Sequence, residues 1–169
     1  MQYVDLLRGA VLLTASAATA LAAISALAIN SEGDDTLAAL TLAWWVIAIG
    51  AGIWLGRPAR SVEVLRGPLA AARTATSLPS ESAGRIAFGR LWPIALFVIV
   101  TGAVGPFVPQ VPAIATGFAL AVAAAWRSRE AAVTAIEDRD GVTFYVENGS
   151  AFEPIKLIRT PGLKTGRPA

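Results

Sequence analysis

The stretch LWPIALFVIVTGAVGPFVPQVPAIATGFALAVAAAW, residues 91–126, contains no Asp, Glu, Lys or Arg. An α-helix rises 1.5 Å per residue, and about 20 apolar residues cross a hydrocarbon core roughly 30 Å thick. A single straight helix over 91–126 would overshoot the bilayer by roughly a factor of two, so the chain must fold back. Gly105, Pro106, Pro109 and Pro112 mark the place, because proline removes a helical N–H donor and glycine loosens the backbone. The stretch therefore predicts two spans, about 91–108 and 111–126, joined as a helical hairpin.

Working outward, two more uncharged runs have spanning length. Residues 11–29 are rich in Ala and Leu and carry Thr14, Ser16, Thr19 and Ser25; residues 37–55 are built around Trp44 and Trp45. Arg8, the first apolar run and Ala26-Leu27-Ala28 imitate a secretory signal peptide, but the run exceeds the usual signal core and reads as a span. The composition agrees: 55% hydrophobic and 15% charged residues, with a mean hydropathy of +0.59, exceed what a soluble domain needs. Spans one and two also carry hydroxyl and small residues that favour helix contact, and span one is expected to be the least hydrophobic and shielded by its neighbours.

The charges orient the spans. Glu32, Asp34 and Asp35 lie between spans one and two with no base beside them, whereas residues 56–90 carry Arg57, Arg60, Arg66, Arg73, Arg85 and Arg90. By the positive-inside rule, the acidic loop and the proline turn face outward, and both termini lie in the cytoplasm. Trp54, Trp92 and Trp126 fall at the inner ends of spans two, three and four, the headgroup level that indoles favour. The basic excess, +2 net, thus has a topological cause, and nucleic acid is not expected as a partner. Arg outnumbers Lys and Ala is abundant, as in GC-rich bacterial genomes, which points to a bacterial inner membrane.

The expected fold is an all-α membrane protein. Residues 1–126 form a four-transmembrane-helix bundle with cytoplasmic loop 56–90, and 127–169 form a cytoplasmic tail. Small residues let helix backbones approach in lipid, and two ridges recur at four-residue spacing: Ala48, Gly52 and Gly56 in span two, and Ala113, Gly117, Ala121 and Ala125 in span four. They read as intramolecular contacts or as a homo-oligomer seam. At mid-depth, Trp44 and Trp45 with Thr101 and Thr116 form either satisfied packing or a small ligand pocket.

In the cytoplasmic loop, Pro68 suits the first turn of a short interfacial helix that Leu78-Pro79 ends, with Ser80 or Ser82 capping the approach to span three. The arginines of this loop either enforce topology or contact anionic lipid. Span four is expected to run on as a helix to about residue 138 before Asp140-Gly141. Residues 142–147 alternate β-branched and aromatic side chains, and Asn148-Gly149 is a strong two-residue hairpin signal with a return strand over 151–158 interrupted by Pro154. Two strands alone are marginal in water, so Phe144, Val146, Phe152, Ile155 and Leu157 need a cover: the loop, a second copy or a partner protein. Residues 160–169 read as a frayed end.

Cysteine and histidine are absent, which excludes disulfides, thiolate or imidazole metal sites and Ser-His or Cys-His nucleophile pairs. No ionisable residue lies within the drawn spans, so the usual markers of proton relays are missing. The outer acids lack the ligand count of a Ca²⁺ loop, and no cofactor or metal is expected. By elimination, the sequence points to a non-catalytic membrane scaffold or accessory subunit that presents its cytoplasmic hairpin to a partner. The alternative is an oligomeric small-solute or lipid transporter or channel.

Overall fold

The computed structural model describes residues 1–74 and 82–161. In chain order the elements are α1 (Tyr3–Glu32), α2 (Asp35–Leu55), α3 (Pro58–Ala70), β1 (Arg73–Thr74), α4 (Ala83–Val104), α5 (Gln110–Asp140), β2 (Val142–Val146) and β3 (Leu157–Pro161). Four of them, α1, α2, α4 and α5, are long and apolar enough to cross a membrane. The prolines place the hairpin turn as expected: α4 ends at Val104 and Pro109 precedes the first turn of α5.

The helices extend beyond the uncharged runs. The first begins at Tyr3 rather than residue 11, and the third at Ala83 rather than 91 and stops short of 108. Charges at Asp5, Arg8, Arg85 and Arg90 interrupt the apolar run without interrupting the helix, because they sit on exposed or half-exposed positions of the same cylinder. The last helix runs unbroken to Asp140, where Gly141 takes φ 63° and its N–H closes on the Glu137 carbonyl, a left-handed cap that glycine adopts without steric cost. Gly33 does the same for α1 at φ 67°.

α1 and α5 form the central antiparallel pair. Val4, Leu7, Ala10, Thr14, Ala17, Leu21, Ser25 and Ile29 are buried at three- and four-residue spacing along α1, the stripe that faces a partner helix. The rest of α1 is open, with Leu12 and Leu27 exposed, and α1 is not the least hydrophobic span: its mean hydropathy of 2.0 exceeds the 1.3 of the α5 segment. α2 packs on α5, and α4 packs mainly on α1. Gly105, the residue after α4, admits Ile24, for a Cβ there would lie 2.7 Å from its Cγ2. α2 and α4 thus flank the central pair without closing a compact bundle, and open grooves remain beside α5.

At one end of the helices lies a three-stranded sheet of order β1-β3-β2, with β1 parallel and β2 antiparallel to β3. This corrects the expected two-strand hairpin. Val146 pairs with Leu157, so the connection spans residues 147–156 and Asn148-Gly149 is not a two-residue turn. A tight turn there would set small Ala151 opposite Val146 and place Pro154, which has no N–H, in the ladder; the observed register buries Leu157 instead. The free edge of β2 is covered by the chain's own start: Gln2 bridges Tyr145, and the Val146 N–H donates to the Met1 carbonyl at 3.0 Å.

The short helix α3 starts at Pro58, with Pro68 inside its last turn rather than its first. Proline at the first helical position of α3 leaves an already orphaned donor unfilled, whereas the bases flanking Pro58 had hidden that start. Ser82 stands at the N-cap of α4 without a side-chain cap bond; Leu78, Pro79, Ser80 and residues 162–169 lie outside the described residues.

Candidate functional site

The two small-residue ridges meet each other. A Cβ on Gly52 would lie 2.5 Å from the Ala121 carbonyl oxygen and 2.7 Å from its Cα, and one on Gly56 would lie 3.1 Å from Ala125 Cα and 2.8 Å from Ser128 Oγ. A Cβ on Gly117 would fall inside the Trp44 indole. Ala48 and Ala113 are buried. α2 and α5 are therefore a parallel pair held by close backbone approach within one chain, the arrangement that small residues permit where apolar solvent supplies no drive.

The tryptophans complete this contact. The Trp44 Nε1–H donates to the Ile114 carbonyl at 3.2 Å and the Trp45 Nε1–H to the Ala113 carbonyl at 2.9 Å, so both indoles are satisfied by the α5 backbone. Trp44 also meets Phe118 edge-on, with centroids 5.5 Å apart. The Thr116 hydroxyl turns onto the Pro112 carbonyl at 2.8 Å, and that of Thr101 onto Phe97 of its own helix. The structure brings Trp44 and Trp45 to α5 as packing, and it leaves the two threonines engaged with their own helices.

Below Trp44, the α2–α5 seam widens into a groove of about 530 Å³ lined by Trp44, Ile47, Leu55, Phe118, Ala121 and Val122. At the sheet end it reaches Ser61 and Val64 of α3 and two guanidiniums, Arg60 and Arg129. Arg57 and Arg60 stack on Trp54, 5.9 and 5.1 Å from the ring centroid, which leaves the in-plane N–H donors of a guanidinium available. The side chains of Arg57, Arg60 and Arg129 make no hydrogen bond or ion pair among the described residues. Glu130, next to Arg129, instead takes Arg8 at 3.0 Å.

Of the other basic residues in the loop, Arg66, Arg73 and Arg85 are exposed. Arg90 differs: its Nη1 donates to the Glu153 carbonyl at 2.7 Å, while its Nε is buried without a partner among the described residues. It ties the 147–156 connection to α4, where Phe152 meets Trp92 edge-on with centroids 6.1 Å apart. Arg129 was not singled out from the sequence. Its signal was present: it continues the ridge Gly117, Ala121, Ala125 by one more four-residue step.

The sheet's apolar face is covered by the chain itself. Phe144, Val146 and Leu157 are buried in a core with Val4, Leu65, Ile86 and Val133, drawn from α1, α3, α4 and α5 and so from both sides of residue 126. Glu137 accepts a hydrogen bond from the Phe144 N–H at 2.9 Å. Phe152 and Ile155 lie outside this core and are exposed. At the far end, Asp34 caps α2 by accepting from Thr36 and Leu37 N–H at 2.9 and 3.0 Å, so this carboxylate serves the helix terminus. No group of three or more carboxylates suited to a metal is found among the described residues. Compared with known protein families, curated proteins and solved structures, the chain matches none.

Proposed function

We propose that this chain is a non-catalytic, multi-pass integral membrane protein, with both termini cytoplasmic, that acts as a scaffold or accessory subunit. In this reading α1, α2, α4 and α5 cross the cell membrane, and the sheet with α3 forms a folded cytoplasmic module offered to a partner. The observation that carries it is continuity. α1 and α5 are single helices of 30 and 31 residues that run from the apolar bundle into the core of the sheet module, so the module is held rigidly against the membrane rather than tethered.

The surface offered to a partner is then the 147–156 connection, where Phe152 and Ile155 are exposed, and not the buried hairpin residues Phe144, Val146 and Leu157. The transporter reading drew on the glycine and alanine ridges as seams between copies. With those ridges packed on each other inside one chain, it keeps no specific support.

A photo-crosslinking residue placed at Phe152 or Ile155 in native membranes tests the proposal. One recurrent protein adduct from both positions, absent when the crosslinker is placed at Leu27 of the far end, is the expected result. Adducts to lipid alone from both positions would contradict it.

A further inference from the structure

We propose that the groove between α2, α3 and α5 is a binding site for one anionic phospholipid. Its acyl chain lies along Ile47, Leu55 and Val122, and its phosphate sits between Arg60 and Arg129. The inference rests on the bilayer reading above and adds a ligand to it.

Three observations converge on this occupant. The first is charge. Arg60 and Arg129 come from different helices to the same end of one apolar groove, and neither meets a carboxylate or carbonyl acceptor among the described residues. Guanidinium forks that the protein leaves unmatched are complementary to phosphate oxygens, which they bind in a bidentate, charge-assisted way. The contrast with Arg90 is instructive, because that guanidinium also borders an apolar groove but donates to a backbone carbonyl.

The second observation is depth. From Trp44 to Leu55 the wall of the groove rises about 16 Å at 1.5 Å per residue, close to one leaflet of a hydrocarbon core roughly 30 Å thick. The guanidiniums therefore stand at the headgroup level, beside Trp54 and Trp126, while the opposite end stops near mid-bilayer under Trp44. A volume of about 530 Å³ also lies within the ordinary range for small-molecule sites, about 300–1,000 Å³.

The third is sign and side. If the basic end faces the cytoplasm, it faces the leaflet in which anionic lipids set a negative surface potential, and basic pockets between membrane helices on that side suit anionic headgroups. A zwitterionic lipid offers the same tail but no net charge to match two cations that have no carboxylate partner among the described residues.

The test uses the whole 169-residue chain in mild detergent, titrated with equimolar dioleoylphosphatidylglycerol and dioleoylphosphatidylcholine and read by native mass spectrometry. The wild type is expected to retain one phosphatidylglycerol at least tenfold in preference to phosphatidylcholine. Arg60→Gln with Arg129→Gln should erase that preference, while Arg66→Gln with Arg85→Gln, exposed arginines outside the groove, should leave it intact. Soluble glycerol phosphate should not displace the lipid, since it lacks the tail.

Equal retention of the two lipids by the wild type would overturn the site, and this arm needs no variant to fold. Unchanged preference in the Arg60/Arg129 variant, or displacement by glycerol phosphate, would overturn it as well. Protein that partitions into the aqueous phase of a Triton X-114 separation removes the bilayer reading and this inference together. Detergent-phase protein without lipid preference removes only this inference.

Discussion

The two ends of this molecule bury opposite kinds of residue. In the sheet module, large side chains are inside: Val133, Val146 and Ile86 are each 0% exposed. Along α2 and the outer faces of the other helices, many large side chains are outside, with Val46 at 69% and Ile99 at 67% exposure, and the α2–α5 contact is made by Gly52, Gly117, Ala121 and their neighbours. Two packing rules in one chain are what the proposed membrane reading, with its two solvents, requires. Water drives large apolar groups together, whereas lipid is as apolar as leucine and leaves association to close backbone approach.

The largest expected effect comes from the water-facing core. Phe144→Ala should cost about 3–5 kcal/mol, the usual range for emptying a buried aromatic site, and Phe152→Ala less than about 0.5 kcal/mol, as befits an exposed side chain away from special backbone features. Limited proteolysis of the sheet module in detergent micelles reads both; equal sensitivity of the two variants would break the assignment of inside and outside.

Gly52→Ile tests the other rule. A branched side chain against the Ala121 backbone should cost about 3 kcal/mol, at the upper end of overpacking penalties, and should lower the thermal unfolding midpoint while the more exposed Gly50→Ile changes it little. Comparable midpoints for the two variants would mean that the α2–α5 approach is not what holds these helices.

Val46→Asp sharpens the comparison further, because the two solvents predict opposite outcomes for one exposed position. In water the change is benign; at the centre of a spanning helix a carboxylate costs about 2.5–3.5 kcal/mol on insertion scales. Reduced membrane insertion of this variant in a glycosylation-mapping assay is the expected outcome, and wild-type insertion the contrary one.

The smallest effect is expected at Ser25, whose buried hydroxyl has no partner among the described residues. Ser25→Ala removes a desolvated donor rather than a bond, so the unfolding midpoint should hold or rise slightly. A clear drop would reveal a hydrogen bond at this position.

What could be read from the sequence follows the same division. The four long apolar helices and the turn at 105–109 were legible, because length, charge and proline act locally. Helix ends were not, since Arg8 and Arg85 look like breaks along the chain yet lie on open flanks of α1 and α4. The strand register was missed because Asn148-Gly149 is a local signal, while Leu157 answers a core assembled from five separated segments. β1, a two-residue strand, has no periodicity to detect at all. The interlock of Gly52 with Ala121 was readable as two ridges, but their mutual pairing was not, and neither was the lining of one groove by both Arg60 and Arg129.

The chain has no cysteine, so single introduced thiols report location without background. The most direct test of four crossings with the sheet module inside compares Asp35→Cys, Val46→Cys and Phe152→Cys in intact cells and in inverted membrane vesicles, using a membrane-impermeant maleimide. The account predicts labelling of position 35 only from the outer face, of 152 only from the inner face, and of 46 from neither. Labelling of 35 and 152 from the same face, or of 46 from water, would contradict it.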